Sequence, residues 1–254
     1  MCGLCGVFAY DREGSPNQGP ELRRMCDAMR SRGPDGNGSW DSDDGRVTLG
    51  HLRLAIIDLT EDGAQPFTTA DGRYTIVFNG EIYNYRELRA ELAEAGAVFR
   101  SHSDTEVIVE LYRRHGARCF AMLRGMYAVA LWDGAANELV LARDPFGIKP
   151  LYIADNGKVL RFASQVKALV AGGGVRRAGS GISHPRNMLG SSNTGRGCSA
   201  PTCCGAPCSC PGNCPGSWTQ IWCGPGSTAS SSWSGGRSRS GASRARTPPS
   251  PRSS

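Results

Sequence analysis

The run MYAVALWDGAANELVLARDPFGIKPLYIADNGKVLRFA, residues 126–163, decides the fold class. It divides into strand-sized apolar pieces at 126–133, 138–143, 149–153 and 159–163. Strands that follow one another without long intervening helices predict antiparallel sheets in an α+β domain rather than a wound parallel sheet. A short helix is expected from about Gln165 to Val170, and Gly172-Gly173-Gly174 closes the ordered part.

Reading back from that run, Ser103 and Glu106 form a capping box that opens a helix with Val107, Ile108, Leu111 and Tyr112 on its apolar face. Asn84 and Glu87 resemble a second capping box, ahead of a helix that puts Tyr85, Leu88 and Leu92 on one face. Tyr74 to Phe78 reads as a strand that stops at Asn79-Gly80, and Val47 to Asp58 as another. Arg32-Gly33-Pro34-Asp35-Gly36 interrupts the pattern. Before it, Glu21 to Arg30 places Leu22, Met25, Cys26 and Met29 at helical spacing. Cys2 to Tyr10 alternates like a first strand.

The 254 residues carry 29 Lys plus Arg against 23 Asp plus Glu, a net +6 that describes no part of the chain. All 23 acidic residues lie in 1–175, with 20 basic ones; 176–254 holds nine Arg and no Lys, Asp or Glu. Forty of those 79 tail residues are Ser, Gly or Pro. Such a composition cannot offset the roughly 1–2 kcal/mol per residue lost on ordering a backbone, so 176–254 is expected to be a low-complexity, disordered tail. The first 175 residues suffice for one domain. No apolar run approaches the roughly 20 residues of a membrane helix, and the start lacks the features of a secretory signal, so the expected compartment is the cytoplasm.

Several side chains in 1–175 are chemically notable. Cys2 taken alone reads as a small buried residue of a first strand, like Cys5. With Met1 trimmed, its thiol would sit beside its own α-amine. An α-amine titrates near about 7.7–8.0 and a thiol near about 8.5, so one residue can supply nucleophile and general base. Asn79-Gly80 suits a tight turn, and equally suits an oxyanion site built from a side-chain amide and an adjacent N–H. Glu81 and Asp104 are carboxylates at a strand end and a helix start; Asp104 also complements the helix dipole. Arg53 stands in an otherwise apolar strand, where a charge wants a partner.

In order along the chain stand Cys2-Gly3-x-x-Gly6, Arg32-Gly33-Pro34-Asp35, Gly50-His51-x-Arg53-Leu54-Ala55-Ile56-Ile57-Asp58, Phe78-Asn79-Gly80-Glu81-Ile82-Tyr83-Asn84, Ser103-Asp104-Thr105-Glu106 and Ala142-Arg143-Asp144-Pro145-Phe146-Gly147-Ile148-Lys149-Pro150-Leu151-Tyr152. This set resembles the glutaminase domain of glutamine-hydrolysing asparagine synthetases, a class II glutamine amidotransferase of the N-terminal-nucleophile hydrolases, over about residues 1–175. Ser31 departs from a frequent His. The resemblance implies a four-layer αββα sandwich of two antiparallel sheets. It implies Cys2 as nucleophile, and Asn79 and Gly80 as oxyanion donors. It implies a glutamine pocket of Arg53 for the α-carboxylate, Glu81 and Asp104 for the α-ammonium, and the backbone of Leu54, Ala55, Ile56 and Ile57. The implied reaction passes through a γ-glutamyl thioester to glutamate and ammonia. No metal or cofactor is expected for it, and His51, His102, His115 and His184 read as ordinary polar positions. Arg143-Asp144 through Lys149-Pro150 reads either as a turn with a local ion pair or as a signature that shapes the domain and faces a partner domain.

Members of that family continue into an ATP- and magnesium-using synthetase domain that receives the ammonia. Ser234-Gly235-Gly236 shares only three residues with its phosphate loop and lacks the preceding strand. The expected partners are L-glutamine and a synthetase domain or chain, with no membrane and no nucleic acid. The alternatives are another ammonia acceptor, an inactive truncated product, or an RNA-binding chain acting through its Arg/Ser tail. The break at Val175–Arg176 has the composition of an out-of-frame continuation; an intact frame on resequencing across codon 175 would refute that. The seven tail cysteines, Cys198 to Cys223, lack paired C-x₂-C spacing, which argues against zinc.

Overall fold

The computed structural model describes residues 1–11, 18–54 and 63–175, together with the backbone of 182–183, 217–222 and 230–234. The strands are β1 (Gly3–Ala9), β2 (Gly36–Asp41), β3 (Val47–Arg53), β4 (Phe67–Thr68), β5 (Tyr74–Ile82), β6 (Gly125–Asp133), β7 (Glu138–Arg143), β8 (Tyr152–Asp155), β9 (Val159–Ala163), β10 (Ile182–Ser183), β11 (Ser217–Trp222) and β12 (Ser230–Ser234). The helices are α1 (Gln18–Ala28), α2 (Tyr85–Glu94), α3 (Asp104–His115) and α4 (Val166–Gly172).

Two sheets form, in the orders β10-β8-β9-β1-β3-β2 (sheet A) and β12-β11-β7-β6-β5-β4 (sheet B). Among the described residues of 1–175 every pairing is antiparallel. Strand alternation sends successive side chains to opposite faces, and here both faces are buried, so β1, and β6 as far as Trp132, carry no charged residue. Leu4 and Phe8 of β1, Val47 and Leu49 of β3, Val77 of β5 and Ala128, Ala130 and Trp132 of β6 meet between the sheets. The intervening residues of β1, Cys5, Val7 and Ala9, face Leu22, Met25 and Met29 of the α1 segment and Leu169 of α4. Those of sheet B, including Ile76, Phe78, Tyr127, Val129 and Leu131, face Leu88 and Leu92 of α2 and Val107, Ile108 and Leu111 of α3. The layers therefore run helix, sheet, sheet, helix, the expected αββα sandwich.

Besides β3, which ends at Arg53 short of the expected Asp58, four details differ from the sequence reading. First, β5 does not stop at Asn79-Gly80: it continues to Ile82, with Gly80 opposite Tyr127 of β6. A Cβ on Gly80 would lie 2.2 Å from the Met126 carbonyl oxygen, so this glycine serves a close strand approach rather than a turn. Second, Asn84 does not cap α2 with its side chain. Its amide instead donates to Met122 O and accepts from Arg124 N. Third, Ser103 caps α3 through the Thr105 N–H, whereas Glu106 reaches past it to the N–H groups of Arg100 and Ser101. Fourth, β8 begins at Tyr152, because Asp144 gathers the N–H groups of Phe146, Ile148 and Lys149 into a loop first.

Most of the tail lies outside the described residues, as do all seven of its cysteines and His184. Of what is described, β10 pairs with β8, β11 runs parallel to β7, and β12 is antiparallel to β11, so that a strand does precede Gly235-Gly236, contrary to the sequence reading.

Candidate active site

Cys2 immediately precedes β1, and Gly3 pairs with Leu52 of β3. That pairing brings Cys2 to the chain leaving β3. The Leu54 N–H donates to Cys2 Sγ at 3.3 Å, and Sγ lies 3.5 Å from Leu54 O. The thiol is partly exposed, and the preceding Met1 is exposed. Arg32 Nε donates to Cys2 O at 3.0 Å. Burial lowers the Arg32 guanidinium from its ordinary value, while the nearby Cys2 thiol acts to raise it. The turn that delivers Arg32 fits only because Gly33 has no side chain: a Cβ there would sit 2.3 Å from the Leu52 backbone. Asp35 N then bonds Arg53 O at 3.0 Å. The Arg32-Gly33-Pro34-Asp35 motif thus braces both the nucleophile candidate and the end of β3.

Alternation decides which face each residue serves. Leu4 and Leu49 point between the sheets, and the same parity carries Cys2, His51 and Arg53 to that inner face. Val77 of β5 also points inward, and so do Asn79 and Glu81. Side chains from both sheets therefore converge on one inner face. His51 bridges them: its Nε2 lies 3.1 Å from Phe78 O, one residue before Asn79. Burial holds the His51 imidazolium down to about 4, so the ring is neutral at pH 7 and Nε2 donates. The sequence placed this histidine in the Gly50-His51-x-Arg53 motif but gave it no role, because its role depends on a strand in the other sheet.

Asn79 is 1% exposed, and its Nδ2 has no hydrogen-bond partner. A buried amide N–H₂ left unpaired costs on the order of 1–3 kcal/mol, so it points to something that a ligand completes. Tyr83 N bonds Arg124 O, which places the ladder bonds of β5 to β6 on odd-numbered residues. The Gly80 N–H is thereby turned away from β6, onto the edge beyond β4. Its neighbours there are already held: Phe78 N donates to Gln65 Oε1 at 2.6 Å and Ile82 N to Asp104 Oδ2 at 3.0 Å.

Glu81 and Asp104 are brought together, as their sequence distance of 23 residues does not suggest. Burial pushes the Asp104 carboxyl up to about 6; N–H groups of Ile82 and of its own helix start oppose the shift, and the Glu81 charge adds to it. Gln65 went unnoticed in the sequence. Its Nε2 donates to Thr105 Oγ1 at 3.1 Å while its Oε1 takes the Phe78 N–H, tying the start of α3 to β5.

Of the expected site residues, Cys2, Arg53 and Leu54 lie together at the end of sheet A, and Asn79, Gly80, Glu81 and Asp104 lie together on sheet B. Ala55, Ile56 and Ile57 lie outside the described residues. The Arg143 to Lys149 loop is organised by main-chain capping: Arg143 donates to Lys149 O at 2.7 Å and to Gly147 O, and Asp144 is fully buried. It leaves Phe146 and Ile148 exposed. Among the described residues no cluster of three His, Cys, Asp or Glu is placed to hold a metal, and no helix is long and apolar enough to cross a membrane.

Comparison with known proteins adds to this geometry. A family model described as a glutamine amidotransferase domain matches residues 1–182. A putative glutamine-hydrolysing asparagine synthetase of Mycobacterium bovis is 43% identical over 182 residues, covering 66% of this chain and 28% of that protein. Asparagine synthetase 1 of Bacillus subtilis is 43% identical over 171 residues, covering 67% and 27%. A protein of Gibberella zeae named amidase chry2 is 37% identical over 181 residues, covering 67% and 27%. The chain thus spans less than a third of the length of these relatives. Among solved structures, the glutamine phosphoribosylpyrophosphate amidotransferase of B. subtilis superposes with a TM-score of 0.58 at 23% identity, over 68% of this chain and 44% of that one, a likeness of fold.

Proposed function

The chain belongs to the glutamine amidotransferase domain family, and on that premise we propose that it hydrolyses glutamine at Cys2 and releases ammonia. Once Met1 is removed, the α-amine of Cys2 takes the thiol proton and the thiolate attacks the side-chain amide carbon of glutamine. Asn79 Nδ2 and the Gly80 N–H hold the oxyanion, each worth about 2.7–4 kcal/mol of barrier. The amine returns its proton to the leaving nitrogen, ammonia departs, and water cleaves the γ-glutamyl thioester to glutamate.

The rest of the constellation suits an amino-acid zwitterion. Arg53 takes the α-carboxylate, and Glu81 with Asp104 takes the α-ammonium, so the amide is presented at the thiol with few degrees of freedom left. A bound ammonium also keeps Asp104 ionised at pH 7 by offsetting its buried charge. The pocket wall from Leu54 to Ile57 joins this reading through the Leu54 main chain. The hydrolysis needs no metal or cofactor; ATP and magnesium belong to an acceptor domain or chain.

The observation that carries the proposal is the unpartnered Nδ2 of the buried Asn79, on the same inner face as Cys2. The asparagine synthetase relatives favour aspartate as the final acceptor, although a relative named as an amidase matches the same region, so the acceptor is chosen by sequence beyond it. The test is glutamate release by the purified chain, with N-terminal mass analysis and a Cys2→Ala control. Turnover is expected only with Met1 absent and Cys2 present. Turnover with Met1 retained refutes the amine base, and turnover in Cys2→Ala refutes the nucleophile.

A further inference from the structure

Cys5 lies in β1 on the face opposite Cys2, and the mechanism above makes no use of it. Its Sγ is 3.5 Å from Sγ of Cys26 in α1. Gly50 of β3 stands opposite Cys5 in the strand register. A Cβ on Gly50 would come within 2.8 Å of Cys26 Sγ and 3.1 Å of Cys5 Sγ, so both sulfurs occupy the space that a side chain would fill. Cys5 is fully buried and Cys26 partly exposed. The thiol-to-thiol hydrogen bond raises the Cys5 thiol, with burial adding, and lowers that of Cys26. The outward member of the pair is thus the more readily ionised, and it is the thiolate that reacts with oxidants.

We propose that Cys5 and Cys26 are an oxidisable dithiol site that a peroxide closes into a disulfide between β1 and α1. The Cys26 thiolate attacks one peroxide oxygen, the O–O bond breaks, and the other oxygen leaves as hydroxide, giving a sulfenic acid. Cys5 then attacks the Cys26 sulfur, expelling its hydroxyl as water once the Cys5 proton is counted. The net change is two thiols and one peroxide to one disulfide and two waters. The sulfurs close from 3.5 Å to the about 2.05 Å of a disulfide, a movement within reach of side-chain rotation. Because α1 leads directly into the turn carrying Arg32, whose Nε holds Cys2 O, closure also lowers glutamine turnover. That consequence rests on the glutaminase reading; the dithiol itself does not.

The full chain is treated with graded hydrogen peroxide, its free thiols are alkylated, and the digest is mapped by mass spectrometry. The expected product is a peptide pair joining Cys5 to Cys26, two hydrogens lighter than its parts, absent in Cys26→Ala and reopened by dithiothreitol. Oxidation of Cys26 to sulfinic acid without that pair, or capture of Cys5 by a tail cysteine instead, overturns the site. In parallel, wild-type turnover should fall severalfold at the dose that forms the pair and recover with dithiothreitol, while Cys26→Ala resists. An equal fall in Cys26→Ala overturns the regulatory consequence. A chain with no turnover before oxidation counts against the glutaminase reading and leaves the peptide map to decide the dithiol.

Discussion

On sheet A the site is carried by chain ends. Cys2 precedes the first residue of β1, Arg53 is the last of β3, and Leu54 lies just past it. On sheet B it is carried by the interior of a strand: Asn79, Gly80 and Glu81 lie within β5, hydrogen-bonded along β6 and backed by α3. The thiol proposed as nucleophile thus sits where the chain leaves it partly exposed. The groups proposed as oxyanion donors sit where packing on both sides removes their freedom. Preorganised donors work because they need no rearrangement when the charge appears, and a mid-strand position supplies that rigidity. His51 and its bond to Phe78 O are what couple the two arrangements.

The sharpest way to break this comparison is Asn79→Ala. It should lower kcat for glutamine about 10²–10³-fold, measured in steady-state assays, with KM nearly unchanged. The thermal midpoint should hold, since Nδ2 makes no internal bond. A large loss of stability instead would make Asn79 a structural residue.

Next comes the link between the sheets. His51 stays neutral in the fold down to about pH 4, whereas an unfolded histidine takes its proton near about 6.5. The unfolded state therefore binds more protons between those values, and stability falls as pH drops through that window, by up to about 3 kcal/mol. His51→Gln, whose amide can still donate to Phe78 O, should flatten that acid slope in urea midpoints measured from pH 7 to 4. An unchanged slope would place the acid sensitivity elsewhere.

Gly80→Ala should cost about 2–3 kcal/mol, because the new Cβ meets backbone of β6 that can yield only by strand displacement. An unaltered urea midpoint would contradict the rigidity claimed for sheet B. The smallest effect separates binding from folding. The Asp104 carboxyl, raised to about 6, is protonated more readily folded than unfolded, so its ionisation destabilises the fold as pH rises from about 4 to 6. Asp104→Asn should gain about 1–2 kcal/mol relative to wild type on going from pH 4.5 to 7.5, discounted for partial solvent screening. It should raise KM for glutamine about tenfold through the lost charge. Equal KM values would remove Asp104 from the ammonium site.

Much of the architecture was legible because alternation and capping act over a few residues. Val107, Ile108, Leu111 and Tyr112 are buried on α3 as their spacing predicts. Local rules failed where a distant partner outbid them. Asn79-Gly80 looks like a turn until β6 is opposite it, and Asn84 looks like a cap until the chain before β6 takes its amide. Gln65 gave no sign, and His51 stood in a motif without a legible role, since each acts on a residue of a strand or helix distant in sequence.

By itself the sequence determined the class of sheet, the helix faces and the order of the motifs, since these depend on periodicity and residue chemistry. Only the tertiary structure decided that Cys2 lies on Leu54, that Glu81 and Asp104 share a neighbourhood, that Asn79 is buried with an open donor, and that Cys5 meets Cys26 over Gly50. Those depend on strand register and on how two sheets face each other. Register is an outcome of the packing of the whole domain, and no local stretch of residues encodes it.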